Sequence, residues 1–201
     1  MYTNQYMLDL GDTENAYKMM KELAEKAVNL DPNSLTVRVV HVFKHFACNE
    51  KVRFFLEVEK CLKRNPNYSL RLGVLGQYLS LYGDWERGKS ILDKIMNSNI
   101  RYPLYLHGAT SLYYYREKDY EGALYEAEKY SVSSLFWGPM LRAAILGQLN
   151  RIEEAIQNIT DLKKLKPEFE KKARYLISRY IKEDDLVEHV IEGLREAGME
   201  L

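Results

Sequence analysis

The feature that most constrains this chain is the placement of its prolines. There are only 5 in 201 residues, and a proline fits only the first turn of a helix or the chain outside one, because it lacks an N–H and its ring clashes with the preceding turn. Pro32 and Pro66 stand 34 residues apart in matching surroundings, Leu30-Asp31-Pro32-Asn33 and Arg64-Asn65-Pro66-Asn67, and Leu165-Lys166-Pro167 ends a third run in the same way. Between the prolines, the stretch Tyr82-Gly83-Asp84-Trp85-Glu86-Arg87-Gly88 returns as Glu117-Lys118-Asp119-Tyr120-Glu121-Gly122-Ala123, and again as Leu149-Asn150-Arg151-Ile152-Glu153-Glu154-Ala155. Each holds a polar turn, then an apolar or aromatic residue, then acids suited to the positive end of a new helix. A small residue follows (Gly88, Ala123, Ala155), where two antiparallel helices can approach closely. A period of this length is the mark of stacked helix pairs.

Composition agrees with an all-α chain. Beyond the prolines there are 11 Gly, and the runs between breakers are rich in Leu, Ala, Glu, Lys and Tyr, which favour helix or tolerate it well when packed. The 29 Lys and Arg balance 29 Asp and Glu, which argues against a nucleic-acid partner, since phosphate binding draws on a basic excess. Two cysteines cannot build a secreted disulfide scaffold, and a chain this long does not need one, so a reducing cytoplasm is the expected setting. No run of 18 apolar residues occurs, and Met1-Tyr2-Thr3-Asn4-Gln5 has neither a basic head nor an apolar signal core. The expectation is a chain that neither spans a membrane nor carries an export signal.

The repeat resembles the tetratricopeptide repeat (TPR), with its W-x2-L-G-x2-Y, A-x3-F and P positions over 34 residues. Leu72, Leu75 and Gly76 stand for the Trp, Leu and Gly of one repeat, with Gly88 and Leu92 for its Ala and Phe. Ala155, Ile159, Leu162 and Pro167 fill the second half of another, and Tyr17, Ala24, Ala27 and Pro32 that of the first. Five units follow, at about 1–34, 35–68, 69–103, 104–137 and 136–169. The consensus Trp is missing from all of them, and Phe54 takes the small position of the second. The resemblance implies a single all-α domain, a right-handed superhelix of antiparallel helix pairs with about eleven or twelve helices.

Residues 170–201 lack the repeat and read as two capping helices. One carries Phe169, Ala173, Leu176, Ile177, Tyr180 and Ile181, the next Leu186, Val187, Val190, Ile191 and Leu194, with Gly198 as the stop. The stretch from Ile191 to Met199 is also similar to the tail of TPR regions that follow the catalytic domain of bacterial class III adenylate cyclases, or the DNA-binding domain of related regulators. That narrower likeness implies a carboxy-terminal regulatory or sensory region of a larger protein, with Met1 then not a native start.

Candidate chemistry is sparse. His41, His45 and Cys48, at i, i+4 and i+7, share a helical face and could offer zinc three ligands. The intervening Val42, Phe43 and Lys44 lack the Glu of an H-E-x-x-H helix, and the favoured reading is packed histidines beside a buried thiol. Cys48 and Cys61 fall on the two helices of one unit; free thiols are favoured over a bridge. His107 and His189 have no acid, Ser or Cys beside them in a nucleophile pattern. No phosphate-binding loop, dinucleotide fingerprint, nucleophile elbow or C-x-x-C occurs. Neither catalytic residues nor a metal or other cofactor is expected. Of Tyr113, Tyr114 and Tyr115, which point about 100° apart on a helix, one or two can face a groove and Tyr114 should pack in the core. Lys163-Lys164, Lys171-Lys172 and Glu183-Asp184-Asp185 read as solvated faces or caps.

In the TPR family the first helix of each unit lines a concave groove. By position that groove holds Phe43, Phe46, Gln77, Ser80, Tyr105, Tyr115 and Trp137, an aromatic and weakly polar set. The positions that hold a partner's terminal carboxylate in chaperone-binding members carry Val39, Val40, Phe43, Leu70, Gly73 and Gln77, so no carboxylate clamp is expected. The function expected is protein–protein interaction, with an apolar helix or peptide anchored by aromatic residues. A groove filled by the chain's own termini, or closed by a second copy in a homodimer, is the competing expectation. The alternative function is a regulatory or sensory region of a larger cyclase or transcription regulator, and an RNA-binding repeat and then a metal-dependent hydrolase rank below it.

Overall fold

The computed structural model describes residues 2–64, 70–98 and 101–201. Along them the chain forms α1 (Tyr2–Met7), α2 (Thr13–Leu30), α3 (Leu35–Ala47), α4 (Lys51–Arg64), α5 (Leu70–Leu81), α6 (Trp85–Met96), α7 (His107–Arg116), α8 (Tyr120–Lys129), α9 (Trp137–Gln148), α10 (Ile152–Leu165), α11 (Phe169–Ser178) and α12 (Asp184–Glu196). A single 3-10 turn, Leu104–Leu106, leads into α7, and there is no strand among the described residues. Pro32 follows α2, Pro167 follows α10, and Pro139 is the third residue of α9, all places where a missing N–H costs no helical hydrogen bond. Pro66, with Asn65 and Asn67, lies outside the described residues.

One backbone turn recurs at the five links between paired helices, and Gly198 (φ 95°) ends α12 with the same two bonds. Asp9, Asn49, Gly83, Lys118 and Asn150 each take left-handed backbone, with φ of 54°, 56°, 101°, 62° and 55°. They sit after α1, α3, α5, α7 and α9. In every case the N–H of the left-handed residue donates to the carbonyl three residues back at 2.8–3.1 Å, and the next N–H donates to the carbonyl five back at 2.9–3.0 Å. This is the Schellman ending, which satisfies the last carbonyls of one helix while turning the chain into the next. The polar turns aligned in the sequence around Gly83, Lys118 and Asn150 are three of these five. Four of the five left-handed residues are not glycine, and Lys118 has no short side chain to offset the strain locally.

The turn sets helix against helix, and small residues decide how close they come. A Cβ on Gly88 would lie 2.2 Å from Ser80 Oγ and 2.6 Å from the Gly76 carbonyl, so α5 and α6 touch almost backbone to backbone. Ala123 is fully buried, and its carbonyl accepts a bond from Ser111 Oγ at 2.8 Å, joining α8 to α7. In the second pair, where Phe54 replaces the small residue, an aromatic cluster fills the space. Phe54 packs 5.9 Å from Phe46 and 4.6 Å from Tyr82, centroid to centroid. Helices α1, α3, α5, α7 and α9 each contact the next of the series and form one inner row.

The carboxy-terminal segment does more than cover the last pair. Helix α11 ends at Ser178, so Tyr180 and Ile181, placed on that helix by the sequence reading, lie beyond it. The chain there crosses to α5, where the Lys182 N–H donates to the Leu81 carbonyl at 2.9 Å and the Trp85 indole donates to Glu183. Helix α12 then packs along α9. A Cβ on Gly147 would meet the Gly193 carbonyl at 2.0 Å, and one on Gly193 would meet the Ala144 carbonyl at 2.5 Å, so glycines on both helices let them nest. The Tyr115 hydroxyl donates to the His189 carbonyl of α12 at 2.9 Å. Helix α9 is therefore buried around nearly its whole circumference, which explains why its sequence is apolar on all sides rather than along one stripe.

Two substitutions separate the turn from the packing. Lys118→Gly relieves left-handed strain and should raise stability by about 0.5–1 kcal/mol. Gly88→Ala forces a Cβ into backbone and should cost about 1–3 kcal/mol. Urea unfolding of both variants reads the two effects.

Candidate functional site

The inner row encloses a cavity of about 360 Å³. Its walls come from helices distant in sequence: Phe43 of α3, Gln77 and Tyr78 of α5, Tyr105 ahead of α7, and Trp137 of α9, with Tyr130 in the link before α9. Asn4 and Leu8 from the first turn of the protein and Tyr180 from the carboxy-terminal crossing complete it. Among the described residues no charged side chain lines it. The walls are held by ring contacts, with centroids 4.6 Å apart for Phe43 and Tyr78 and 4.6 Å for Trp137 and Tyr180.

Of the seven groove positions assigned from the sequence, Phe43, Gln77, Tyr105 and Trp137 line this cavity, and three do not. Phe46 is fully buried between Phe54, Tyr78 and Tyr82, with the Lys182 ammonium 4.8 Å above its ring. Ser80 is fully buried against Gly88 and bonds the Gly76 carbonyl at 3.2 Å. Tyr115 is buried under α12. The tyrosine run is corrected too: Tyr115 is the core residue, and Tyr114 is half-buried at the surface of α7. The missing information is the position of α12, which lies far along the chain. Of the carboxylate-clamp positions, the side chain of Leu70 lies outside the described residues. Tyr78, Tyr130 and Tyr180 are wall residues that the sequence reading did not select. Tyr78 lies one residue after Gln77 and was within reach of the positional argument, whereas Tyr130 and Tyr180 arrive from loops that carry no repeat signal.

Burial sets the state of the phenols. Burial pushes the Tyr78 and Tyr180 hydroxyls well above the ordinary phenol value. Burial raises Tyr105 as well, and lifts Tyr130 to about 12 against the pull of Arg142. All four are neutral donors at physiological pH. One further polar atom in a wall residue, Gln77 Oε1, is covered and makes no hydrogen bond.

Beside the cavity, α1 is tied to the stretch from Lys166 to Arg179. Lys166 is buried and its Nζ donates to the Asp9 carbonyl at 2.7 Å and lies 2.9 Å from Glu168. The Asp9 carboxylate meets Lys172 at 2.9 Å and Lys166 at 3.5 Å. Burial alone would raise Asp9, but the hydrogen bond from Lys172 and the charges of Lys166 and Arg179 hold it below the usual carboxylate range. Arg179 donates to the Tyr6 carbonyl and stacks 4.3 Å from the rings of both Tyr6 and Tyr175. These contacts fasten α1 across the inner row.

Each histidine has a hydrogen-bond partner within the fold. His41 Nε2 lies 3.2 Å from Glu25, and His45 bonds Glu50, which also receives Lys44 at 3.3 Å. Cys48 faces the Tyr17 hydroxyl. His107 and His189, isolated in sequence, acquire partners by folding: His107 Nδ1 lies 2.6 Å from Glu126, and His189 Nε2 lies 2.9 Å from the Tyr120 hydroxyl. No disulfide joins Cys48 and Cys61. Among the described residues no group of three His, Cys, Asp or Glu side chains is placed to hold a metal ion, and no helix is long and apolar enough to cross a membrane. Compared with family models, curated proteins and solved structures, the chain has no match in any of the three.

Lys182, at the crossing, carries a pH signature. Burial, and secondarily the charge of Arg179, lower its ammonium from 10.5 to about 8. Below about pH 8 the lysine is charged in both folded and unfolded chains, and the fold bears the whole cost. Between about 8 and 10.5 only the unfolded chain binds the proton, so this lysine makes stability rise with pH. Lys182→Met should stabilise the protein at pH 7 by on the order of 3 kcal/mol and remove that part of the rise. Urea unfolding of wild type and variant from pH 7 to 10.5 measures the difference.

Proposed function

We propose that this chain is a non-catalytic binding module of TPR-like helix pairs whose concave aromatic face is the recognition site. What supports the reading is the convergence of Phe43, Gln77, Tyr105 and Trp137, from separate pairs, on one uncharged cavity. The five equivalent turns favour a repeat, and the inner row is where a TPR-like solenoid presents its partner site. A partner helix about 10 Å across has no room there while α1 and Tyr180 remain in place. Of two forms of the reading, the enclosed volume therefore favours a sensory or regulatory region that takes a small occupant, such as serves a larger cyclase or transcription regulator. The second form is a scaffold that takes a protein segment, and it requires α1 and Tyr180 to move aside. A cytoplasmic setting suits both.

The experiment divides a cell extract at about 1 kDa and follows the melting temperature of wild type and of Val74→Phe, which fills the cavity from α5. Stabilisation of about 2 °C or more by the low-mass fraction, lost in Val74→Phe, supports the sensory form. Stabilisation by the high-mass fraction alone supports the scaffold. A response to neither, or one indifferent to Val74→Phe, sinks the concave-face reading.

A further inference from the structure

The geometry points to a specific class of occupant: an uncharged, flat aromatic molecule of about one to two fused rings, bearing a hydroxyl or ring N–H, held between the wall rings and bonded by Gln77. This inference rests on the binding-module reading and names the ligand of the same site.

Three independent observations select that chemistry. First, size: about 360 Å³ lies at the low end of ligand pockets, suited to a compact molecule rather than a peptide. Second, charge: among the described residues, Asn4 and Gln77 are the only amide side chains in a wall that is otherwise aliphatic, aromatic or backbone, and no Lys, Arg, Asp, Glu or His lines it. An ion entering such a site would lose its hydration with nothing to replace it, whereas a neutral molecule would not. The surrounding charges, Arg179 and Lys166 among them, are spent on the Tyr6 and Asp9 carbonyls. Third, polar complement: Gln77 Oε1 is covered and has no hydrogen-bond partner. A rotation about the terminal bond of Gln77 would turn its amide oxygen to a donor in the cavity, and the wall phenols would supply donors in return. Rings at tilted and edge-on angles, such as Phe43 against Tyr78 at 38° and Trp137 against Tyr180 at 68°, leave both faces and edges for stacking. An aliphatic occupant would use none of these polar atoms.

Isothermal titration of the full chain with 2-naphthol, and with 2-naphthoate on the same ring frame, tests this. 2-Naphthol should bind one to one with a dissociation constant below about 100 µM, and 2-naphthoate at least about 10-fold more weakly. Val74→Phe should abolish 2-naphthol binding, and Gln77→Leu, close to the native shape, should weaken it about 10-fold by removing the acceptor. Equal affinity for the two probes, binding unchanged in Gln77→Leu, or no binding of 2-naphthol to folded wild type would overturn the assignment. If Val74→Phe does not fold, the Gln77→Leu titration decides alone. A low-mass extract that stabilises wild type while 2-naphthol fails to bind removes the ligand class and leaves the module reading standing. Silence in both experiments removes both.

Discussion

The left-handed turn is the constraint on which the rest of this protein depends. A helix that ends must satisfy its last carbonyls, and the Schellman pair of bonds does so only when one residue adopts positive φ. Asp9, Asn49, Gly83, Lys118 and Asn150 accept that conformation, and each thereby directs the chain back along the helix just completed. Because the device is the same five times, α1, α3, α5, α7 and α9 fall side by side. The cavity is a consequence of that row: its walls are whatever side chains the inner helices turn away from their own partners.

What ties α1 down beside the cavity is a different kind of interaction. Lys166, Asp9 and Arg179 are charged groups with little exposure, and burying them costs more than a well-packed apolar contact of the same size would. The cost is offset by bonds to the Tyr6 and Asp9 carbonyls and by stacking on Tyr6 and Tyr175. Polar contacts of this sort are directional, so they hold α1 in one register beside the site. Lys182 extends the same tie: its backbone joins α5, and its ammonium rests on Phe46. Helix α1 and the stretch from Lys166 to Lys182 are thus brought together beside the cavity.

The positional reading of the groove divides along a physical line. Phe43, Gln77, Tyr105 and Trp137 stay at the cavity because nothing from elsewhere in the chain covers them completely. Phe46, Ser80 and Tyr115 are lost to the core for three separate reasons: an aromatic cluster built around Phe54, a backbone approach at Gly88, and the docking of α12. Only the approach at Gly88 has a local sequence sign, the small residue itself. His107 and Glu126 are similar, two groups 19 positions apart that meet only because α7 and α8 pair.

By itself the sequence determined the helices, their turns and their small contact residues, because proline chemistry, turn polarity and the Gly or Ala at each close approach act over a few neighbouring positions. The all-α class follows from those local rules. Tertiary structure alone decided that α11 stops at Ser178, that Tyr180 enters the inner row, and that α1 is tied down by residues more than 150 positions away. Such pairings depend on which surfaces remain unburied once the repeat has formed. A one-dimensional period of local signals does not contain that information.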